Sequence, residues 1–522
     1  MLVLITGGIG SAHEEREAFF PAGDGTVPAY RSAPAIPRLV VCKPDSADRI
    51  AALPLDLRVL NLALLDECAF THVQAAVDAV TQRGTTIYLL PGIYREEPSR
   101  EPPGPGCNDV ATHEFGSLSY ADQARCPHVE NLIAILGDTE ATEGDGYTCN
   151  NTLCELQIEG TGATPDDVAI DGGFDSSGEW VKHNGIRADR ADGIYLRNFT
   201  VQRFGFNAVY ILETDGFVVD RVVARNNEAY GVLTFVSDHG LLVDCEAFNN
   251  GDGGLYPGSA ADVAPARFAI EIARCKSHHN FAGFSGTSGN AIHAHDNDFH
   301  TNAIGAEMDS VFPHHPGAPQ DGALFENNRI YSNNYNPYER WVKTGKCDQP
   351  PGKLREQEPD AICPTGLVPV GTGVMVAGGN ANLFRENQIW DNWRYGFLQF
   401  YVPALVREEL DPLKQIDTSH FNRYVSNRMA FGPLGGLPNG LDFWWDEQGQ
   451  GNCWEANVSA LGPVTSDPAS LPGCREPSPL FLPFHPKSLP IAPCILYDLR
   501  DPILRDPPGC TWQRTPPRPG AP

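Results

Sequence analysis

Short apolar runs alternate with polar turn residues along most of the chain. Within each run, apolar residues occupy roughly every second position, as in GIYLRNFTVQ, GVLTFVSDHGLLVDCEAF and GVMVAGGNANLFRENQIW. Glycine, asparagine or aspartate stands between them. This period of two predicts β-strands joined by tight turns. By contrast, FTHVQAAVDAVTQRG has a helical pattern of apolar positions and is followed by the apolar run IYLL and a Pro-Gly turn.

The strands and turns repeat with a period near 23 residues. Asn226-Asn227 precedes Gly231, and 23 residues later Asn249-Asn250 precedes Gly254. Two polar positions five apart recur as Asp244/Asn249, Asn297/Asn302, Asn328/Asn333, Asn387/Asn392, Asn422/Asn427 and Asn452/Asn457, with His279 in the place of an asparagine. A unit of this size cannot bury its own apolar face, whereas stacked units can.

Three short strands and their turns in each unit predict one coil of a parallel β-helix, with coils about 4.8 Å apart. Asparagine suits the turn for two reasons. It tolerates the left-handed backbone conformation, and its amide can hydrogen-bond the same amide one coil above and below.

Two segments resemble a known superfamily. VQAAVDAV…IYLLPGIY resembles the helix-capped start of the right-handed parallel β-helices called pectin-lyase-like, and WWDEQGQGNCWEANV (444–458) resembles a coil of secreted bacterial β-helix proteins of undefined activity. The resemblance covers roughly residues 65–460. It implies an all-β, single-stranded right-handed parallel β-helix of about ten coils with an N-terminal capping helix. It implies no particular reaction, because the fold hosts lyases, hydrolases, epimerases, esterases and adhesins.

The repeat divides the chain into three parts. Residues 1–64 lack it and begin with MLVLITGGIGSA, which resembles the tail of a secretion signal without its basic start. Residues 65–465 form the predicted β-helix, with an insertion near 335–370. Residues 466–522 form a proline-rich tail pinned by a disulfide. No later segment approaches 18 apolar residues, so we expect no membrane span.

Charge and cysteine content narrow the partners and the compartment. The net charge of −28, from 66 acidic and 38 basic residues, argues against nucleic acid and anionic membranes. The 14 cysteines lie in short-range couples, which predicts seven local disulfides and a secreted or cell-surface protein. The predicted pairs are Cys42/Cys68, Cys107/Cys126, Cys149/Cys154, Cys245/Cys275, Cys347/Cys363, Cys453/Cys474 and Cys494/Cys510. The oligomeric state is left open.

Candidate chemistry follows from which strand residues face outward. The first residue after each repeat glycine should point inward and the next outward. The expected outward columns are Leu233, Tyr256, Ser285, Glu307, Met375, Leu398 and Phe235, Gly258, Thr287, Asp309, Ala377, Phe400. Glu307 and Asp309, two apart on one face, suit a general acid and base on a glycosidic bond, or a cation site.

Neighbouring residues complete the predicted cleft. His314 and His315 follow in an insertion and would assist catalysis, and Tyr256 would be a platform for a sugar. Asp262 and Arg267, in an insertion one coil earlier, would wall the cleft. The alternative is that all these residues are solvated polar groups on a coil.

Two further groups are candidates. His293 and His295 share one strand face and could bind a metal, or they are ordinary surface residues. Trp390 and Trp393 could stack on sugars, although packing of the last coils is the favoured interpretation. The prediction requires no cofactor and leaves room for calcium. The acidic segment NNGDGG with Asp252 could bind it, but the favoured interpretation is an ordinary turn, which needs aspartate and glycine in any case.

These features favour a secreted enzyme that cleaves a polysaccharide, a hydrolase in preference to a lyase. The acidic surface and the carboxylate pair support hydrolysis, and the chain lacks an outward column of basic residues of the kind a pectate-type lyase uses. The polygalacturonase, alginate-epimerase and Gly-x-Ser-x-Gly motifs are also missing. The alternative is a non-enzymatic surface, adhesion or glycan-binding β-helix.

Overall fold

The computed structural model describes residues 16–110, 118–140, 144, 146, 148–312, 315–414, 419–479, 486–495 and 505–520. In these residues the chain winds through three parallel sheets of 12, 11 and 11 strands, called here sheets 1, 2 and 3. Each full coil passes through sheet 3, then sheet 1, then sheet 2. The predicted parallel β-helix is confirmed.

The strands are short, as the spacing of turn residues requires. Sheet 1 contains Arg38–Val41, Thr86–Leu89, Gln157–Gly160, Ile194–Arg197, Asp215–Asp220, Asp238–Val243, Ile270–Ala273, Ile292–His295, Leu324–Glu326, Leu383–Arg385, Arg423–Val425 and Cys453–Glu455. Sheet 2 contains Gly92–Tyr94, Val168–Asp171, Thr200–Gln202, Val223–Arg225, Glu246–Phe248, Lys276–His278, Asp298–His300, Arg329–Tyr331, Gln388–Trp390, Arg428–Met429 and Val458–Ser459. Sheet 3 contains Asn131–Leu136, Asn184–Asp189, Asn207–Leu212, Val232–Phe235, Gly253–Gly258, Ala282–Thr287, Ile304–Asp309, Thr372–Ala377, Tyr395–Phe400, Phe443–Trp445 and Ser466–Asp467.

Helices lie outside the coils. The α-helices of the described residues are Ser46–Ala51, Leu55–Leu65, Val73–Asp78, Glu97–Arg100, Tyr120–Arg125, Pro351–Gln357 and Ala492–Ile495. Single 3-10 turns lie at Pro105–Cys107, Pro165–Asp167, Lys346–Asp348, Ala404–Arg407, Pro412–Lys414 and Pro486–Ser488, a π-turn at Tyr338–Val342, and a small hairpin at Phe431–Gly432 and Gly435–Gly436. The helix Val73–Asp78 buries Val73, Ala76 and Val77 in the main core, which is the predicted cap. Each helix in the described part of the chain is too short or too polar to cross a bilayer.

Like residues stack on like residues in the interior. In sheet 3, Phe284, Ala306, Val374, Phe397 and Phe443 occupy one inward position in successive coils. The rings of Phe397 and Phe443 stack with centroids 5.3 Å apart. Because each coil covers the apolar face of the next, the core extends along the axis as one cluster.

Asparagine ladders line the turns, with one correction to the expected positions. Seven asparagines from successive coils form one ladder, in which each of the first six donates Nδ2–H to the Oδ1 of the next over 2.8–3.2 Å. They are Asn227, Asn250, Asn280, Asn302, Asn333, Asn392 and Asn439. The left-handed backbone falls instead on the residue before, at Asn226, Asn249 and His279. His279 is therefore no substitute for an asparagine, because Asn280 continues the ladder.

Six of the seven predicted disulfides are present. The exception is Cys245/Cys275, two buried free thiols at the same position of neighbouring coils. The Cys245 thiol donates to the Val219 carbonyl oxygen (3.1 Å), and the Cys275 thiol to that of Ala273 (3.5 Å). Both thiols thus have backbone partners inside the core. Six disulfides are typical of a protein that folds in an oxidising compartment.

Segments outside the repeat pack on the coils. The strand Arg38–Val41 already pairs with Thr86–Leu89 of sheet 1. The chain before it runs along the outside, where the Arg31 backbone N–H donates to Gln157 Oε1 and the Tyr30 hydroxyl to Glu159 Oε1. At the other end, the Val370 N–H donates to the Trp512 carbonyl oxygen (3.2 Å), which ties the tail to the long insertion.

Candidate active site on the outward face of sheet 3

The two expected outward columns of sheet 3 are present. Ser285, Glu307, Met375 and Leu398 are register partners in successive coils. Thr287 pairs with Asp309 in the neighbouring column. Glu307 and Asp309 therefore share the outward face of the strand Ile304–Asp309, as the alternation predicted.

The two carboxylates are buried and held by hydroxyl groups of the previous coil. Glu307 is 8% exposed and Asp309 is 3% exposed. The Ser285 hydroxyl donates to Glu307 Oε1 (3.0 Å), and the Thr287 hydroxyl donates to Asp309 Oδ2 (2.7 Å). The backbone N–H of Val311 donates to Asp309 Oδ1 (3.2 Å). Their orientations are thus fixed by the coil itself.

A third carboxylate joins them from the start of the strand Gly253–Gly258. Asp252 is buried and accepts hydrogen bonds from the hydroxyls of Thr365 and Tyr230. Thr365 lies in the long insertion, far away in sequence. The sequence analysis placed Asp252 in a turn and did not connect it with Glu307; its position before the outward strand was the available signal.

Burial raises the pKa values of all three acids, and repulsion from neighbouring carboxylates adds to the effect at Glu307 and Asp252. Burial, with the charges of Asp309 and Asp252, holds the pKa of Glu307 well above its usual range. Burial raises the pKa of Asp309 to about 6 and that of Asp252 to about 6. Glu307 is therefore the carboxyl of the cluster that retains its proton most strongly, while the two aspartates ionise first.

Aromatic side chains border the cluster. The rings of Tyr230 and Tyr256 lie 4.8 Å apart, and Ala18 and Phe20 pack against the same apolar group. Tyr256 is 1% exposed, so it is a packed wall and not the open sugar platform that we expected. The His315 ring lies nearly perpendicular to the Phe235 ring, with centroids 5.4 Å apart, and stacks on the Phe312 ring, with centroids 5.9 Å apart. His314 lies outside the described residues.

The same face continues toward the N-terminal coils. Arg187 is the register partner of Tyr210 in the column that contains Tyr256, and its guanidinium lies 4.1 Å from the Tyr210 ring centroid. Asp189, in the other column, binds both nitrogens of Arg16 (2.7 and 2.9 Å), which also contacts Glu213. Sequence analysis missed this network because Arg16 lies in a segment without a repeat.

The insertion that was expected to wall the cleft faces a different corner. Arg267 binds both oxygens of Asp238 at 2.6 Å, and Asp262 is exposed. The reason is that the insertion connects sheet 3 to sheet 1 and follows that corner. Asp238 also belongs, with Asp215 and His239, to the group of three possible metal ligands found in the described residues. Both carboxylates already have partners: Arg267 binds Asp238, and the His239 ring and the Gly25 N–H bind Asp215.

His293 and His295 lie on the outward face of sheet 1, away from Glu307. Their rings are 4.4 Å apart, so they share a strand face as predicted. His293 Nε2 binds Glu326 Oε1 (2.8 Å), and His295 binds Glu271 (3.0 Å) and Asp296 (2.8 Å). Burial lowers the pKa of His295, but these carboxylates outweigh it and raise that pKa overall. Both histidines are hydrogen-bonded to carboxylates at the place where the sequence suggested a metal.

The tryptophans lie on the sheet 2 side. Trp390 is buried and stacks on Tyr331 with centroids 4.4 Å apart, and Trp393 Nε1 donates to Asp391 (2.9 Å). The stack continues along the outward face of sheet 2 through Tyr331, His300, His278 and Phe248. Each ring covers its neighbour, so the packing interpretation of Trp390 holds and its ring face is unavailable to a sugar.

Comparisons with known proteins agree with the coil geometry. Residues 167–310 match the family model described as "Right handed beta helix region". This chain is a right-handed parallel β-helix. The right-handed parallel β-helix predicted from the sequence is thereby confirmed. No curated protein sequence matches the chain.

Three solved β-helix structures illustrate how distant the similarity is. The A-module of the Azotobacter vinelandii mannuronan C-5 epimerase AlgE6 is 14% identical over 74% of this chain and 94% of its own, with a TM-score of 0.35. The periplasmic alginate epimerase AlgG is 12% identical over 72% and 69% (TM-score 0.39), and the pectate lyase Pel9A is 13% identical over 77% and 74% (TM-score 0.36). Similarity at this level gives no indication of this chain's activity.

Proposed function

We propose that the protein is a polysaccharide-cleaving enzyme, a glycoside hydrolase, that acts on the outward face of sheet 3. The observation that carries the proposal is the buried cluster of Asp252, Glu307 and Asp309, whose pKa values are separated by their surroundings. Paired carboxyl groups of unequal pKa are what glycosidic hydrolysis requires, since one must donate a proton while the other remains ionised.

Each acid has a role in this proposal. Glu307, whose pKa is raised well above its usual range, donates its proton to the leaving glycosidic oxygen. Asp309 or Asp252, ionised above about pH 6, takes a proton from the water that attacks the anomeric carbon. The products are one new reducing end and one new hydroxyl group for each water consumed. The Ser285 and Thr287 hydroxyls hold the two acids in place.

A turnover screen tests the proposal. Neutral and uronic polysaccharides are incubated with the full chain, with calcium and with chelator, and both new reducing ends and the absorbance of an unsaturated sugar are followed. We expect reducing ends without the absorbance, in the presence of chelator. Absorbance that requires calcium would replace hydrolysis by elimination at a cation site. Silence across the panel from folded protein would contradict catalysis.

One observation favours a second candidate, a non-enzymatic glycan-binding β-helix. Asp252, Glu307, Asp309 and Tyr256 are all buried, and a closed face admits no polymer to the acids. In that case the raised pKa values would be a consequence of packing alone. Retention of a glycan from the panel on immobilised protein, with no turnover, would support this candidate.

A further inference from the structure

A cavity of about 440 Å³ lies between two coil turns and the helix of the long insertion. Its walls include Phe174, Asp175 and Arg203 from the turns, and Lys353, Arg355 and Glu356 from the helix Pro351–Gln357. The volume lies within the range of small-molecule sites. These residues belong to the corner between sheets 2 and 3 and include none of the carboxyl cluster.

Several cations surround the cavity, although the protein as a whole is acidic. The chain has a net charge of −28. Around this corner, however, Arg203 and Arg95 share Asp171, and Arg100 lies close enough to Asp171 and Arg203 to affect its own pKa. Lys353 and Arg355 add two more cations from the insertion. Three wall residues of the cavity are thus cations, beside the acids Asp175 and Glu356.

Arg355 is a wall residue whose guanidinium is incompletely hydrogen-bonded. Its guanidinium lies 5.2 Å from the Trp180 ring centroid, and Nη2 donates to the Asn227 carbonyl oxygen over a long 3.4 Å. Nη1 has no hydrogen-bond partner in the described residues. Burial lowers the pKa of Arg355 to about 10 and raises that of nearby Glu228 to about 7. A buried guanidinium with an unmade hydrogen bond is a receptor for an anion.

The other walls restrict which anion would fit. Phe174 supplies a ring, itself packed on Trp180 with centroids 4.7 Å apart. Glu356 supplies acceptor oxygens. The Asp175 carboxylate accepts from the N–H groups of Ser177 and Gly178, which fixes it in place. Guanidinium and ammonium groups can donate hydrogen bonds to one carboxylate of a ligand. The Phe174 ring can pack on the carbon face of a sugar, and the fixed carboxylate oxygens can accept hydrogen bonds from its hydroxyl groups.

We propose that this cavity is a second ligand site, which binds a sugar acid of one or two rings through Arg355 and Lys353. Arg203 is already neutralised by Asp171, so the two helix residues carry the recognition of the anion. The proposal does not depend on the enzymatic activity, because the cavity and the carboxyl cluster share no residue.

Binding to the full-length protein tests the site. Glucuronate and glucose form a matched pair of probes, alike except for the carboxylate, and ligand-observed NMR with calorimetry measures both. We expect glucuronate to bind at least about 10-fold more tightly than glucose, and high salt to reduce the difference. Equal affinity for the two sugars, or no glucuronate binding up to tens of millimolar, would overturn the proposal.

Variants locate the binding. Arg355→Gln should weaken glucuronate binding by about 10-fold or more, and Lys353→Gln, at an exposed position, by about 3-fold. Lys343→Gln removes an exposed cation of the same insertion outside the cavity and should change nothing. If Arg355→Gln fails to fold, glucuronate binding by Arg355→Lys and Lys353→Gln tests the site instead. Equal loss in Lys343→Gln would mean non-specific attraction, and unaltered binding in Lys353→Gln and Arg355→Lys would overturn the site.

Discussion

The outward faces of sheets 2 and 3 differ in how far away their partners lie along the chain. On sheet 2, side chains are satisfied by the next coil: Phe248 stacks on His278, and Arg329 pairs with Asp298 one coil below. On sheet 3, the previous coil supplies hydroxyls to Glu307 and Asp309, but other partners arrive from remote segments: Arg16 binds Asp189 across 173 residues, and Thr365 binds Asp252 across 113. Sheet 2 is therefore a regular surface of complementary neighbours, whereas sheet 3 carries three acids that repel one another. Clusters of acids with raised pKa values are typical of functional sites.

The largest contrast concerns activity. Glu307→Gln should reduce turnover by about 10²–10⁴-fold, because the amide has no proton to donate to the leaving oxygen. Its fold should persist, since glutamine is isosteric with the protonated acid that this site favours. Glu246→Gln, which removes an acid from the sheet 2 face, should leave turnover unaltered. Initial rates on the substrate found in the screen measure both. Equal losses would remove the distinction between the faces.

Stability gives the next contrast. Arg16→Met leaves Asp189 and Glu213, both fully buried, without this cation, so we expect a loss of about 3–5 kcal/mol in the free energy of unfolding. Arg329→Met breaks a similar two-pronged pair with Asp298, but the arginine is half exposed, and the loss should stay below about 1 kcal/mol. Denaturant unfolding of both variants measures this. Similar losses would show that remote segments contribute no more than neighbouring coils.

The pH dependence of stability should have opposite signs on the two faces. The pKa of Asp252 is raised to about 6, so its contribution is greatest below the unfolded pKa near 4. It is lost as the pH rises from about 4 to about 6, a change of about 3 kcal/mol that Asp252→Asn abolishes. The pKa of Glu246 is lowered by its hydrogen bond to His278, so its contribution is present above about pH 4 and lost on acidification.

Thermal unfolding of the wild type, Asp252→Asn and Glu246→Gln across this range measures both trends. The midpoint of the wild type relative to Asp252→Asn should fall as the pH rises. Relative to Glu246→Gln it should rise. A parallel trend for the two variants would contradict the electrostatic difference between the faces.

The smallest effect is expected where the coil meets solvent. Arg274 binds Asp244 of the previous coil at 2.8 Å, and both side chains are largely exposed. Arg274→Gln should change the free energy of unfolding by less than about 0.5 kcal/mol. The change should shrink further in high salt. A loss of several kcal/mol, measured by the same denaturant unfolding, would show that neighbouring coils depend on their exposed ion pairs as well as on the interior.

Local pattern predicted the coils and the two outward columns, and the resemblance to known β-helices predicted the cap. Period-two alternation and the 23-residue repeat suffice, because each coil pairs with the next in register. The predicted position of the amide ladder was wrong by one residue at Asn249 and His279, because in each turn the left-handed residue directly precedes the asparagine that joins the ladder. From sequence these two roles look alike, because asparagine can fill either.

The sequence by itself therefore determined the fold and the facing of Glu307 and Asp309. Both follow from short-range periodicity repeated many times. Only the tertiary structure decided what meets that face: Asp252 joins the acids, Tyr256 is packed away, and Arg267 serves another corner. Those outcomes depend on where non-repeating segments return to the coils. No periodicity encodes such returns, because they are set by packing between residues far apart along the chain.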